Sequence, residues 1–336
     1  MSLSHTEAVT WADAMLVGDL SASTQRLFLD YGQIASTFMV ELLEAYSRDR
    51  DLTDSVILAA LVQNTTAAVA SDPSLERRYG QFEAPVPEDF HRTISVNALA
   101  TSLGLPFETL RRRLKRMTAE GLCAVGPRGV RASWRLLTSD AHRQTLESVC
   151  ECVRRLHQRL ERASGLQCMN LRRPAGVVPF CGASPVRIVY RTATRHFLRT
   201  MELLLPQVSS VTQAFIVLEI LAANTEVLSQ AFDGAKRPNV EDHRPDGCGR
   251  PIRACEMAAR LSLPPETARR QLAVLVDEGR CRRIPNGAVT PAALLTEPKM
   301  VATMIANVQN LRRLFDDLAA TGVLARWEME QFVASA

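Results

Sequence analysis

The stretch "LPFETLRRRLKRMTAEGLC", Leu105–Cys123, packs Arg111, Arg112, Arg113, Lys115 and Arg116 into six positions. Alone it does not separate a solvated helix face from a surface that meets a negative partner. A second stretch bears on that choice. "LPPETARRQLAVLVDEGRC", Leu263–Cys281, repeats the pattern 158 residues later. Residues 92–129 align with 250–287 without a gap, and 16 of the 38 positions are identical. Among them are Leu103/Leu261, Pro106/Pro264, Glu108/Glu266, Thr109/Thr267, Arg111/Arg269, Arg112/Arg270, Gly121/Gly279, Cys123/Cys281, Pro127/Pro285 and Gly129/Gly287. Fainter matches extend the repeat. Tyr31 falls on Tyr190, Asn64 on Asn224, and Val153-Arg154-Arg155-Leu156 on Leu311-Arg312-Arg313-Leu314. The repeating unit is far longer than a solenoid repeat, so a pair of domains is expected. The expected division is a first repeat over 1–165, a linker over 166–186 and a second repeat over 187–336.

Charge is focused on the repeated stretches. Residues 1–91 carry 5 basic and 14 acidic side chains, whereas 92–137 carry 9 and 2. Residues 250–295 carry 8 basic and 4 acidic. Localised positive charge is the footprint expected of a nucleic-acid contact. The chain has 336 residues and only 5% aromatics, which favours helices over an all-β fold. No run of 18 apolar residues occurs, so no membrane span is expected. The first 20 residues lack a basic region before an apolar one and do not read as a secretory signal. The eight irregularly spaced cysteines then read as reduced thiols, and a cytoplasmic, nucleoid-associated location is expected.

Apolar spacing predicts helices over 23–47 and 52–70, and the Pro-rich, charged stretch 71–91 reads as a loop. "SVNALATSL" (95–103) predicts a short helix, with Ser95 or Asn97 as cap. Gly104-Leu105 makes a tight turn, and Pro106 sits where a missing N–H costs nothing. The next helix runs to Glu120 and stops at Gly121. "LCAVG", "PRG" and "VRASWRLL" read as a β-hairpin, echoed by "RCRRI", "PNG" and "AVTPAAL". Helices over 140–164 and 298–321 close the two repeats, and 187–230 is also helical. The fold class expected is mainly α with small β-wings.

Helix, tight turn, helix and hairpin, in that order, resemble a winged helix-turn-helix, at about 92–137 and again at about 250–295. "ISVNALATSLGLPFETLRRRLKRMTAEGLC…PRG" is similar to the DNA-binding domains of bacterial transcriptional regulators of the GntR, IclR and MarR kind. The resemblance spans about 45 residues per copy and is carried by "ALA…LGL", a polar helix start, basic positions and "EGL" before the hairpin. It implies that the second helix lies in the major groove of double-stranded DNA with its N-terminal half on base edges.

On the helical wheel Leu110, Leu114 and Met117 share a buried face. Glu108, Arg112, Lys115 and Arg116 point away from it, with Thr109 and Arg111 on the flanks. Thr109, Arg111 and Arg112 are the expected base readers, because arginine takes guanine bidentately. Arg113, Lys115 and Arg116 are expected on phosphate, although Arg113 lies nearer the buried edge, within reach of an acidic neighbour. Glu108 and Glu266 suit the helix dipole better than cytosine. In the second copy the readers are Thr267, Arg269 and Arg270, but Ala273 and Val274 replace Lys115 and Arg116, so weaker binding is expected there. Hairpin residues Arg128, Arg131, Arg283 and Asn286 are placed to reach backbone or minor groove.

Neither a P-loop, a dinucleotide motif, a zinc-protease motif nor a nucleophile elbow is present, so no enzyme, cofactor or metal is expected. Cys123 and Cys281 are expected in the core. Cys168 and Cys181 bracket the linker, with free thiols as the default. The leading expectation is a transcriptional regulator binding as a pseudo-dimer, its two readers about one helical turn apart. A homodimer of such chains is compatible with it, and no effector is legible. Rival readings are a plasmid or phage replication initiator and a chromosome-segregation protein whose winged domains bind protein.

Overall fold

The computed structural model describes residues 22–47, 50–162, 169, 171–230, 250–291, 294 and 297–335. The fold is mainly helical, with two small antiparallel sheets. In chain order the elements are α1 (Ala22–Tyr46), α2 (Leu52–Thr65), α3 (Pro73–Arg78), α4 (Val96–Ser102), α5 (Phe107–Ala119), β1 (Cys123–Gly126) and β2 (Gly129–Ala132). Then come α6 (Trp134–Leu137), α7 (Asp140–Arg162), α8 (Val186–Leu204), α9 (Val211–Gln230), α10 (Ala254–Arg260) and α11 (Pro265–Asp277). The chain ends with β3 (Arg282–Ile284), β4 (Gly287–Val289), α12 (Pro298–Ala320) and α13 (Val323–Ser335).

Two compact units form, and each draws on both halves of the chain. One comprises Thr53–Arg155, Leu171–Glu202 and Asn310–Ala336; the other comprises Met1–Leu52, Leu156–Asn170 and Leu203–Gln309. The sequence repeats 1–165 and 187–336 are therefore not the packing units. Each unit takes the paired short helices and hairpin of one repeat and the long N-terminal helix of the other, α8 in the first unit and α1 in the second. The long helices α7 and α12 each contribute to both units.

In the first unit α8 is held by buried arginines. Arg187, 4% exposed, donates to the carbonyls of Gln81, Phe82 and Leu137 at 2.9–3.1 Å. Burial, then the neighbouring Arg191 charge, push its guanidinium down to about 10. One turn on, Arg191 donates from Nε to buried Glu76 at 2.8 Å. His142 is buried with its ring edge-on to Tyr190, centroids 5.3 Å apart. Burial and then Arg187 push that imidazole down to about 3, so it is neutral. In the second unit α9 lies along α1 and also packs on α11.

The two segments of paired short helices, α4–α5 and α10–α11, share their local geometry. Ser95 caps α4 by accepting from the Ala98 N–H, and it, not Asn97, fills that role. At the corner Leu105 N donates to Ala100 O at 2.9 Å, and Leu263 N to Ala258 O at 2.8 Å. The first corner turns on Gly104 at φ 60°, the second on Ser262 at φ 51°. Ser262 is the one non-glycine residue with positive φ among those described. After α5 and α11, Leu122 N donates to Met117 O and Arg280 N to Leu275 O, closing both helices with the same Schellman bonds.

β1 pairs with β2 through Gly126↔Gly129, so Pro127 and Arg128 alone form the turn. Ile94 adds a bridge to Val130, as Ile252 does to Ala288. The bridging segment passes so near that a Cβ on Gly129 would lie 2.2 Å from Ile94 O, and one on Gly287 2.5 Å from Ile252 O. Glycine at both positions follows from this close approach.

Two expectations need correction. The stretch 71–91 is not all loop: α3 forms because Asp72 accepts from the Ser74 and Leu75 N–H groups and Pro73 occupies the first turn. "VRASWRLL" does not stay extended. Ser133 accepts from the Leu136 N–H and starts α6, so the strand ends at Ala132. The helical stretch 187–230 is as expected, and it divides into two helices at the 3-10 turn Leu205–Gln207.

Candidate nucleic-acid interface

Both second helices bury the same three positions. Leu110, Leu114 and Met117 line the inner face of α5, and Ala268, Leu272 and Leu275 that of α11. The outer faces stand clear: Arg111, Arg112, Lys115 and Arg116 are exposed on α5, as are Arg269, Arg270, Ala273 and Val274 on α11. Thr109 and Thr267 are half-buried at the shoulder of each helix.

The cations are not equivalent. Arg111 binds Glu108 one turn back at 2.9 Å, and Arg269 repeats that pair with Glu266 at 3.4 Å. Both pairs are exposed and screened, so they orient the arginines more than they stabilise the fold. Arg112, Lys115 and Arg270 have no acidic partner among the described residues. Arg113 is half-buried and donates to Asp54 of α2 at 2.6 Å. Arg116 binds the other oxygen of the same carboxylate and lies 3.8 Å from Glu120.

The hairpins separate in the same way. Arg128 is exposed at the turn, whose backbone accepts a hydrogen bond from Thr93 Oγ1 at 3.2 Å. Arg283 and Asn286 are exposed in the second copy. Arg131 instead turns back toward the body of its unit. It binds Glu88 at 2.7 Å and sits 3.4 Å from His91 Nδ1. His91 Nε2 lies 2.9 Å from Val86 O, so a neutral ring donating there accepts the Arg131 N–H at Nδ1. Burial pushes His91 below its ordinary value; the Val86 bond opposes this and the Arg131 charge adds to it. The expected placement of Arg131 on a nucleic-acid backbone therefore meets a competing pair.

Asp54, Glu88 and His91 are the participants that sequence reasoning missed. Asp54 and Arg113 are 59 residues apart, and no local pattern links them. The only hint was the position of Arg113 near the buried edge. In the second copy an ion pair comes instead from the helix before the corner: Arg260 Nε of α10 lies 2.6 Å from the buried carboxylate of Glu219 on α9.

Cys123 and Cys281 are buried at equivalent positions, and burial pushes the Cys281 thiol up to about 12. Cys181 is exposed, and Cys168 lies outside the described residues. No three His, Cys, Asp or Glu side chains converge as metal ligands among the described residues. No single helix among them is long and apolar enough to cross a membrane. Comparison of the chain with protein-family models, curated proteins and solved structures finds no match.

Proposed function

We propose that the chain binds double-stranded DNA sequence-specifically through two winged helix-turn-helix domains, within 92–137 and 250–295, and acts as a transcriptional regulator. One observation carries this reading. The same short helix, tight corner, second helix and hairpin occur twice, and each time an exposed arginine pair stands on the outer face of the second helix. An arginine pair at the start of a helix that fits the major groove suits guanine recognition.

The roles divide by what each cation already holds. Arg111 and Arg269, oriented by Glu108 and Glu266, with Arg112 and Arg270, are the readers. Thr109 and Thr267 flank them. Lys115 and Arg128 supply phosphate contacts in the first copy, and Arg283 and Asn286 in the second. Ala273 and Val274 give the second helix an apolar outer edge, suited to a thymine methyl and weaker electrostatically.

Selection of bound duplexes from a random-sequence pool, followed by titration, tests the reading. A defined site is expected. The Arg112→Ala variant should weaken it by about 1–3 kcal/mol per lost guanine contact and relax specificity there. Arg270→Ala should relax a different part of the site. Enrichment of no sequence, with equal binding by wild type and both variants, would remove the proposal. Genome-wide occupancy then separates a regulator, with promoter peaks, from a replication initiator, with peaks at one origin.

A further inference from the structure

We infer that Asp54 is a positioning residue of the first reading helix: it withdraws Arg113 and Arg116 from DNA and leaves phosphate binding to their neighbours. The inference rests on the DNA-binding reading above.

The observations are geometric. Asp54 stands near the start of α2, and its side chain is 7% exposed. One carboxylate oxygen takes Arg113 and the other takes Arg116. The two arginines lie three apart on α5, so they leave the helix on adjacent turns of one face. A carboxylate holding two guanidiniums presents to them what a phosphate would, two oxygens with negative charge. It engages one guanidinium nitrogen of each and so competes with a phosphate for them. Arg113, 24% exposed, is largely committed by burial. Arg116 keeps half its surface open and is the one a phosphate could recapture.

The chain contains its own control. At the spacing of 160 that aligns Asn64 with Asn224, Asp54 corresponds to Ala214. At the spacing of 158 that aligns the reading helices, Arg113 and Arg116 correspond to Gln271 and Val274. Asp54, Arg113 and Arg116 are thus all replaced together by uncharged residues. Were Arg113 and Arg116 there for DNA alone, nothing would tie their loss to the loss of an acid on another helix. As an internal cluster, the three change as one. The dense positive run of the first copy then has two parts: Arg111, Arg112 and Lys115 face outward, and Arg113 and Arg116 hold α5 against α2. This sets the axis of the reading helix while limiting sequence-independent grip.

Salt dependence counts the cations engaged. Each phosphate neutralised on duplex DNA adds about 0.9 to the slope of log K against log salt. The probe is a fluorescein-labelled 30-base-pair duplex of mixed sequence, read by anisotropy between 50 and 200 mM salt, so the operator need not be known. Asp54→Asn in the full chain removes the carboxylate charge that both arginines share and is expected to steepen the slope by about 1–2 units. Arg116→Gln alone is expected to leave the slope within about 0.3 of wild type, and the double variant to lose at least half of the Asp54→Asn gain.

A folded Asp54→Asn protein with an unchanged slope overturns the inference and leaves Asp54 a helix bolt only. So does a drop of about 1 unit for Arg116→Gln alone. Should Asp54→Asn fail to fold, by its circular dichroism melt, the Arg116→Gln slope decides by itself. Absence of duplex binding by wild type at 50 mM salt overturns the DNA reading and this inference with it. Wild-type binding that Arg112→Ala weakens, with flat Asp54→Asn behaviour, removes only the inference.

Discussion

The two corners between paired helices offer a matched experiment inside one molecule. Gly104 and Ser262 occupy equivalent positions, at φ 60° and 51°, with the same hydrogen bonds across the turn. A left-handed conformation costs an L-residue about 1–2 kcal/mol, because Cβ crowds the following carbonyl. Glycine escapes that cost but loses about 0.4–1 kcal/mol more backbone entropy on folding. Ser262→Gly is therefore expected to stabilise the protein by a net of about 0.5–1 kcal/mol, and Gly104→Ser to destabilise it by a similar amount. For units of 150 residues or so, each kcal/mol moves the melting temperature by about 2–4 °C. Thermal melts followed by circular dichroism should show shifts of about 1–4 °C, upward for Ser262→Gly and downward for Gly104→Ser. DNA affinity at fixed salt should not change, since neither residue lies on the outer face. Both variants shifting the same way, or Ser262→Gly lowering the melting temperature, would refute the argument that the corner angle sets the residue.

Two further predictions concern the first unit. His142 is buried and neutral, with its pKa lowered to about 3 by burial and then by Arg187. A depressed histidine contributes stability that is whole above the unfolded value of about 6.5 and is lost as pH falls from there toward the folded value. One unit below the unfolded value, at about pH 5.5, wild type should have lost about 1.4 kcal/mol through this residue. His142→Gln should show that much less loss between pH 7.5 and 5.5 in urea titrations, and an identical pH dependence would count against it. Glu76 and Arg191 are both almost fully buried. Glu76→Gln leaves a buried guanidinium without its carboxylate and should cost about 3–5 kcal/mol, most of it recovered by adding Arg191→Met. Equal stability of the single and double variants would contradict this.

Much of the candidate site was legible because its geometry is local. A cap at Ser95 or Asn97, Gly121 as stop, the Leu110/Leu114/Met117 face and a hairpin turn after Gly126 all follow from interactions within a few residues. The repeat doubled their weight, since Ala268, Leu272 and Leu275 bury the same positions. Helix α3 was also announced, by Asp72 followed by Pro73 and Ser74, but charge and proline nearby masked it. What those residues do with charge was not legible. Arg116 and Arg131 look alike in sequence to Arg112 and Arg128, and Arg113 is set apart only by its place near the buried edge. Only packing brings Asp54 to Arg113 and Arg116, and Glu88 to Arg131.

The repeat led to the expectation of two consecutive domains, and here tertiary structure decided otherwise. Segments of both halves compose each unit. The physical reason is that apolar periodicity states which face of a helix is buried, not which neighbour buries it. In α8, Arg187 and Arg191 find their acceptors at Gln81, Phe82 and Glu76, more than a hundred residues earlier. From the sequence alone come the helices, the corners, the hairpins and the duplicated arginine pair. The tertiary structure alone decides which halves pack together and which arginines remain available to a partner, because both depend on contacts between residues far apart in the chain.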